Sequence, residues 1–170
     1  VYAGLVTRDG NLDLKPGLAR TWEQTSPTQW RFHLRKGVTF HNGNAFDADD
    51  VIYSANRIRS KASNLKGRVP VTAEFIKVDA HTVDLVLEKP NPVAIAEWET
   101  FAILDKEWTQ ETIARGGDTA LASVANGTGP FRITEHKPGV KTVFEVNPAW
   151  WGERQHNLAR VELTPIKSPA

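Results

Sequence analysis

Hydrophobic and polar positions alternate in several short stretches. Trp30, Phe32 and Leu34 are interleaved with Arg31, His33 and Arg35, a period of two that predicts a half-buried strand. Val38 and Phe40 continue the pattern after Gly37, and His41-Asn42-Gly43-Asn44 turns the chain. Ile76 and Val78 lead through Asp79-Ala80-His81 into the run Thr82 to Leu87, a hairpin signature. A second pair joins Phe131–Ile133 to Val140–Val146 across Pro138-Gly139, and Ala159, Val161 and Leu163 form a last alternating strand.

Helical spacing is rarer. Asp47 stands at an N-cap position with Asp50 three residues on, and Val51, Ile52, Ala55 and Ile58 share the face behind it. Asp49 and Asp50 at the start and Arg57, Arg59 and Lys61 at the end match the helix dipole. A second helix is predicted from Asp105 to Arg115, stopped by Gly116-Gly117, and a third from Thr119 to Ala125 behind an Asp118 cap. Strands and helices do not alternate as a doubly wound parallel sheet requires, so the class is α+β with mostly antiparallel sheet and a few helices. The composition shifts near Pro90 to Lys106, and strands return after Gly127, as expected for a second structural unit.

Composition narrows the field. At 170 residues a sizeable core is possible, and 40% hydrophobic content with mixed charge excludes a disordered tail. A net charge of +1 gives no long-range field for nucleic acid or an anionic membrane. No apolar run approaches a membrane span. Zero Cys removes disulfides, thiolate zinc sites and cysteine nucleophiles, and zero Met suggests a piece of a longer protein.

Little points to chemistry. Asp47, Asp49 and Asp50 could be read as a cation site or an acid–base group at the centre of a hydrolase. Set against this, the same three residues suit a capped helix with a matched dipole, and there is no closing Glu of a calcium loop. No two of His33, His41, His81, His136 and His156 stand three or four apart, so no helical metal pair exists. Ser54, Ser63 and Ser123 lack a nucleophile elbow. Gly127-Thr128-Gly129-Pro130 opens a strand rather than a helix, which suits a tight turn better than a phosphate cradle. Of the six Trp, Trp98 is unusual, lying in Glu97-Trp98-Glu99-Thr100 after the Pro90-Asn91-Pro92 break. It either packs a helix onto the sheet or is exposed on a loop, where it could meet a small ligand or a partner of a self-standing interaction module.

Taken in order, the segments Val1-Tyr2-Ala3-Gly4-Leu5-Val6, Leu14 to Trp22, Trp30 to Gly43, and Phe46-Asp47-Ala48-Asp49-Asp50-Val51 resemble one family. Asp79 to Val83, Leu87-Glu88-Lys89-Pro90, Asn126 to Phe131 and Asn147-Pro148-Ala149-Trp150-Trp151-Gly152 continue the resemblance to about Ile166. The family is the bacterial extracellular solute-binding proteins of the oligopeptide, dipeptide and nickel type, which deliver ligand to ABC importers.

The resemblance implies a receptor rather than an enzyme, with no cofactor and no metal. Members fold as two lobes that close on ligand, one lobe carrying an extra domain. Residues 1–106 would supply that domain and 107–170 the start of the return into the first lobe. The second lobe, which holds the acidic partner of a peptide's amino terminus, would be missing. Trp98 matches the position from which relatives present His or Arg to ligand, Glu99 and Thr100 neighbour it, and Arg68 lies in a segment that nears ligand. The implied function is binding a peptide or similar small solute and handing it to permease subunits. The implied location is the periplasm or a cell-envelope lipoprotein, touching membrane only through the permease or a lipid anchor, with no nucleic-acid partner.

Overall fold

The computed structural model describes residues 1–60, 63, 65 and 73–166. The alternating run becomes strand β4 (Gln29–Leu34), flanked by β3 (Ala19–Ser26) and by β6 (Thr82–Val86), with β5 (Glu74–Asp79) at the far edge. All three pairings are antiparallel. Phe32 lies opposite Trp22 on one side and Val83 on the other, and Phe75 opposite Leu85. Phe32, Val83 and Leu85 are fully buried, which is what a period of two delivers when one face meets a core.

Helix α1 (Ala48–Arg59) starts at Asp47 in the expected capping box. The Asp47 carboxylate accepts the Asp49 N–H at 2.7 Å, and the Asp47 N–H donates to Asp50 at 3.0 Å. Its buried face carries Ala48, Val51, Ala55 and Ile58 and packs beside β5. Val38, Phe40 and Phe46 are buried in the same cluster, although the strand itself stops at Leu34 and only an isolated bridge, Thr39 to Ala45, continues it. Gly37, with φ +74°, explains the break, because a left-handed residue cannot continue a strand.

Two short strands, β1 (Val6–Arg8) and β2 (Leu14–Pro16), pair with each other before β3. The core cluster runs from Leu5 to Ile103. Beyond it come α2 (Ala94–Glu97), α3 (Lys106–Gly116), a 3-10 turn (Asp118–Ala122), and an antiparallel sheet of β7 (Phe131–Lys137), β8 (Lys141–Val146) and β9 (Arg160–Leu163). Val143 is the one residue of these three strands that is buried.

The third predicted helix is corrected. Asp118 does not cap it but pairs with Arg57 at 2.6 Å, and the segment closes as a 3-10 turn with no buried residue. Without an apolar face to bury, nothing stabilises a longer α-helix there. The α+β class with mostly antiparallel sheet holds.

Candidate functional site

After Pro90-Asn91-Pro92 the chain makes the single turn of α2, and Trp98 is its C-cap. The Trp98 ring does not face solvent. It is 3% exposed and meets Phe75 edge-on at 4.5 Å and Phe101 at 5.2 Å between ring centroids. The alternative of a module exposing Trp98 is thereby corrected: the indole belongs to the core, where two aromatic edges and the β5 face outcompete water for it.

Glu99, next along the chain, turns the other way. Its carboxylate accepts a hydrogen bond from Arg8 Nε at 2.6 Å, with both side chains about one-third exposed. It lines a cavity of about 290 Å³ together with Tyr2, Gly4, Gly17, Pro130 and Trp150. The cavity exists because backbones approach closely here. A Cβ on Gly4 would lie 2.9 Å from the Glu99 carbonyl, and Ile103 N–H donates to the Ala3 carbonyl at 3.0 Å. The Thr100 hydroxyl donates to the Glu97 carbonyl at 3.2 Å and so finishes α2. Arg68 and Asn64 lie outside the described residues. The structure therefore brings Trp98, Glu99 and Thr100 together but points their side chains in different directions.

The acidic residues have structural partners. Asp49 pairs with Lys77 at 2.9 Å, and Asp47 caps α1. Asp50 is buried, and burial pushes its carboxyl up to about 6 despite the N–H groups of Asp47 and Lys106 that it accepts. Asp105 and Glu107 stand near Asp50, their oxygens within 4.8 Å of one another. Sequence reasoning did not single out Asp105 beyond its place at a helix start. One of its oxygens accepts the side-chain amides of Asn42, Asn44 and Asn126 at 2.8 to 2.9 Å, and the other accepts Trp108 N–H at 2.9 Å. These N–H donors saturate Asp105, and both Asp50 oxygens carry one each. Asp50 and Asp105 anchor a hydrogen-bonded junction, while Asp47 caps α1 and Asp49 pairs with Lys77.

The turn at His41 docks on the Gly127–Gly129 segment. His41 N–H donates to the Gly127 carbonyl at 2.9 Å, and the imidazole Nε2 lies 3.0 Å from the Gly129 carbonyl. Burial holds this imidazole below its ordinary value, against the opposing pull of the Gly129 carbonyl. Added Cβ atoms on Gly127 or Gly129 would come within 2.6 Å of the Val1 carbonyl, so this stretch is a packing turn and not an anion cradle. Among the described residues, no helix is long and apolar enough to cross a membrane.

Comparison with known proteins agrees with the architecture. The family described as bacterial extracellular solute-binding proteins, family 5 Middle, matches residues 13–170. The dipeptide-binding protein of Escherichia coli (strain K12) is 29% identical over 183 aligned positions, covering 94% of this chain and 34% of that protein. The HTH-type transcriptional regulator SgrR of Salmonella choleraesuis (strain SC-B67) is 34% identical over 134 residues, covering 75% of this chain and 21% of that protein. Among solved structures, the periplasmic binding protein DppA of Helicobacter pylori in complex with the peptide STSA superposes with a TM-score of 0.84. It is 26% identical, with 98% of this chain and 37% of that chain covered. The chain thus spans roughly a fifth to a third of the length of the curated relatives it matches. On the match across 158 of its residues and the shared fold, the chain belongs to the bacterial extracellular solute-binding proteins of family 5.

Proposed function

We propose that this chain is part of a receptor that binds a peptide or similar small solute and passes it to an ABC importer. The observation that carries the reading is the family match over residues 13–170, joined to likeness of fold to a protein solved with a bound peptide. Binding proceeds by closure of two lobes, a hinge motion without bond-making, and the protein works in the periplasm or at the cell envelope. Residues 1–106 form the extra domain, a division supported by the core cluster, which runs from Leu5 to Ile103. Residues 107–170 begin the return into the first lobe.

In this reading Glu99 is the ligand-facing residue of its segment, since it borders the cavity beside Tyr2 and Trp150. Trp98 serves by packing: with its ring locked between Phe75 and Phe101, it fixes where Glu99 and Thr100 stand. Calorimetric titration of the full-length protein with a panel of di- to tetrapeptides tests the proposal. Saturable binding without turnover is expected, and turnover of any substrate would overturn it.

The regulator among the relatives favours a second reading, in which the same solute-binding fold senses a small molecule for transcription. A DNA-binding segment on the same polypeptide, with no co-purifying permease, would decide for it. Co-purification with permease subunits would decide for transport.

A further inference from the structure

A second concavity, of about 710 Å³, opens at the end of the four-stranded sheet. Its floor is a row of side chains across three strands: Thr21 on β3 lies opposite His33 on β4, which lies opposite Thr82 on β6. Irregularities in pairing shape its rim. The register of β3 shifts between Ala19 and Thr21, so that Arg20 and Thr21, neighbours in sequence, both line the groove. The register of β5 shifts between Lys77 and Asp79, and Asp79 and His81 reach the same rim. Bulges re-aim side chains in this way, and here two of them open on one space.

The groove collects cations that have no carboxylate partner within 4 Å. Elsewhere, cations such as Arg8, Lys15, Arg31, Arg57 and Lys77 have a carboxylate partner within 4 Å. Arg20, Arg35 and Lys36 line the groove with none, against the single carboxylate of Asp79. That carboxylate is engaged, accepting the His81 N–H at 2.7 Å. Arg35 is held in place, its Nε donating to the Gly17 carbonyl at 2.7 Å and its guanidinium stacked 4.6 Å above the Trp151 ring. Asp79 acts on Lys36 only through space, with no ion pair within 4 Å, so the three cations keep their charge available to an incoming anion. The His81 imidazole and the Thr21 hydroxyl offer further donors, whereas His33 faces Glu23 at 3.3 Å and Thr82 bonds to Asp79; a singly charged carboxylate would leave most of the cations unmatched.

We propose that this groove binds a phosphate-bearing anion, with Arg20 and Lys36 as its exposed cationic ligands and Arg35 as the fixed one. The proposal is independent of the solute-binding reading, since it uses neither Glu99 nor its cavity. The test titrates the full chain with pyrophosphate at constant ionic strength in potassium chloride, followed by calorimetry. A parallel arm measures flotation with phosphatidylcholine vesicles containing phosphatidylglycerol. The double variant Arg20→Ala/Lys36→Ala removes two exposed side chains and is checked by circular dichroism.

Saturable binding that falls at least tenfold in the double variant is the expected result. Binding of pyrophosphate assigns a free anion, and binding of vesicles alone assigns a lipid headgroup. Absence of binding in both arms, or binding undiminished in the double variant, overturns the site. Peptide affinity measured on the same double variant should be unchanged, so failure here is distinguishable from failure of the solute-binding reading.

Discussion

The side-chain amide of Asn126 donates to the buried carboxylate of Asp105 at 2.9 Å, tying the loop after the 3-10 turn to the N-cap of α3. Asn42 and Asn44 deliver two more amides to the same oxygen from the turn that precedes α1. One buried carboxyl group thus gathers three segments, and the buried amide of Asn126 has its partner there.

Asp105→Ala should therefore strand the buried amide of Asn126 and remove a helix cap together. A loss of about 3 kcal/mol is expected, since a buried unsatisfied polar group and a lost cap each cost about 1–2 kcal/mol. Asn126→Ala should lose about 1–2 kcal/mol, as its bonds to Asp105 and to the Asn42 N–H go and three other donors remain on Asp105. Urea denaturation of both variants measures the difference; equal losses would contradict the central role of Asp105.

Trp98→Ala should be among the most damaging single changes. A core Trp truncated to Ala typically costs about 3–5 kcal/mol, and the edge contacts with Phe75 and Phe101 are lost with it. Trp98→Phe should cost markedly less. If Trp98→Ala left the guanidinium midpoint unchanged, the indole could not be packed as described.

Glu99→Gln separates binding from folding. Glu99 and Arg8 are each about one-third exposed, so the pair is worth little to stability, about 0–1 kcal/mol. Solute affinity should fall about tenfold while the melting temperature hardly moves, as a loss of about 1.4 kcal/mol at the cavity wall implies. Unchanged affinity by calorimetry would exclude Glu99 from the solute-facing wall.

Two buried carboxyls should give opposite responses to acid. Asp84 is held below its ordinary value first by the Arg31 guanidinium, which it accepts through bonds of 2.7 and 2.8 Å. Its contribution to stability is present above the unfolded value of 3.8 and is lost as pH falls through the lower folded value. Asp50 is raised by burial from 3.8 to about 6, so the folded state binds its proton more tightly. Its ionisation lowers stability as pH rises from 3.8 to about 6, and the penalty is complete above that window. Asp50→Asn should flatten the stability profile between these pH values, and Asp84→Asn should flatten it below 3.8. Thermal melts across pH 2 to 8 check both signs.

Several elements were legible because their signals are local. Trp30, Phe32 and Leu34 predict β4 by alternation, and Asp47 with Asp50 predicts the start of α1 by the reach of a side chain over three residues. The strand β3 carries no such signal: it is an edge strand whose residues are mostly exposed, so no alternation marks it. The short turn at Asp118 was misread as an α-helix because its cap residue was taken by Arg57, 61 residues away.

The sequence by itself determined the α+β class, the capped helix and the main hairpins, since periodicity and capping act between neighbours, and its motifs in order carried the resemblance to the family. Only the tertiary structure decided that Trp98 faces the core while Glu99 faces a cavity. It alone gathered Asn42, Asn44 and Asn126 on Asp105, and it alone brought Arg20, Arg35 and Lys36 around one groove without an ion-pair partner. Those facts depend on which residues distant in sequence come to share a space, and competition among partners for burial and charge is resolved only when the whole chain has packed.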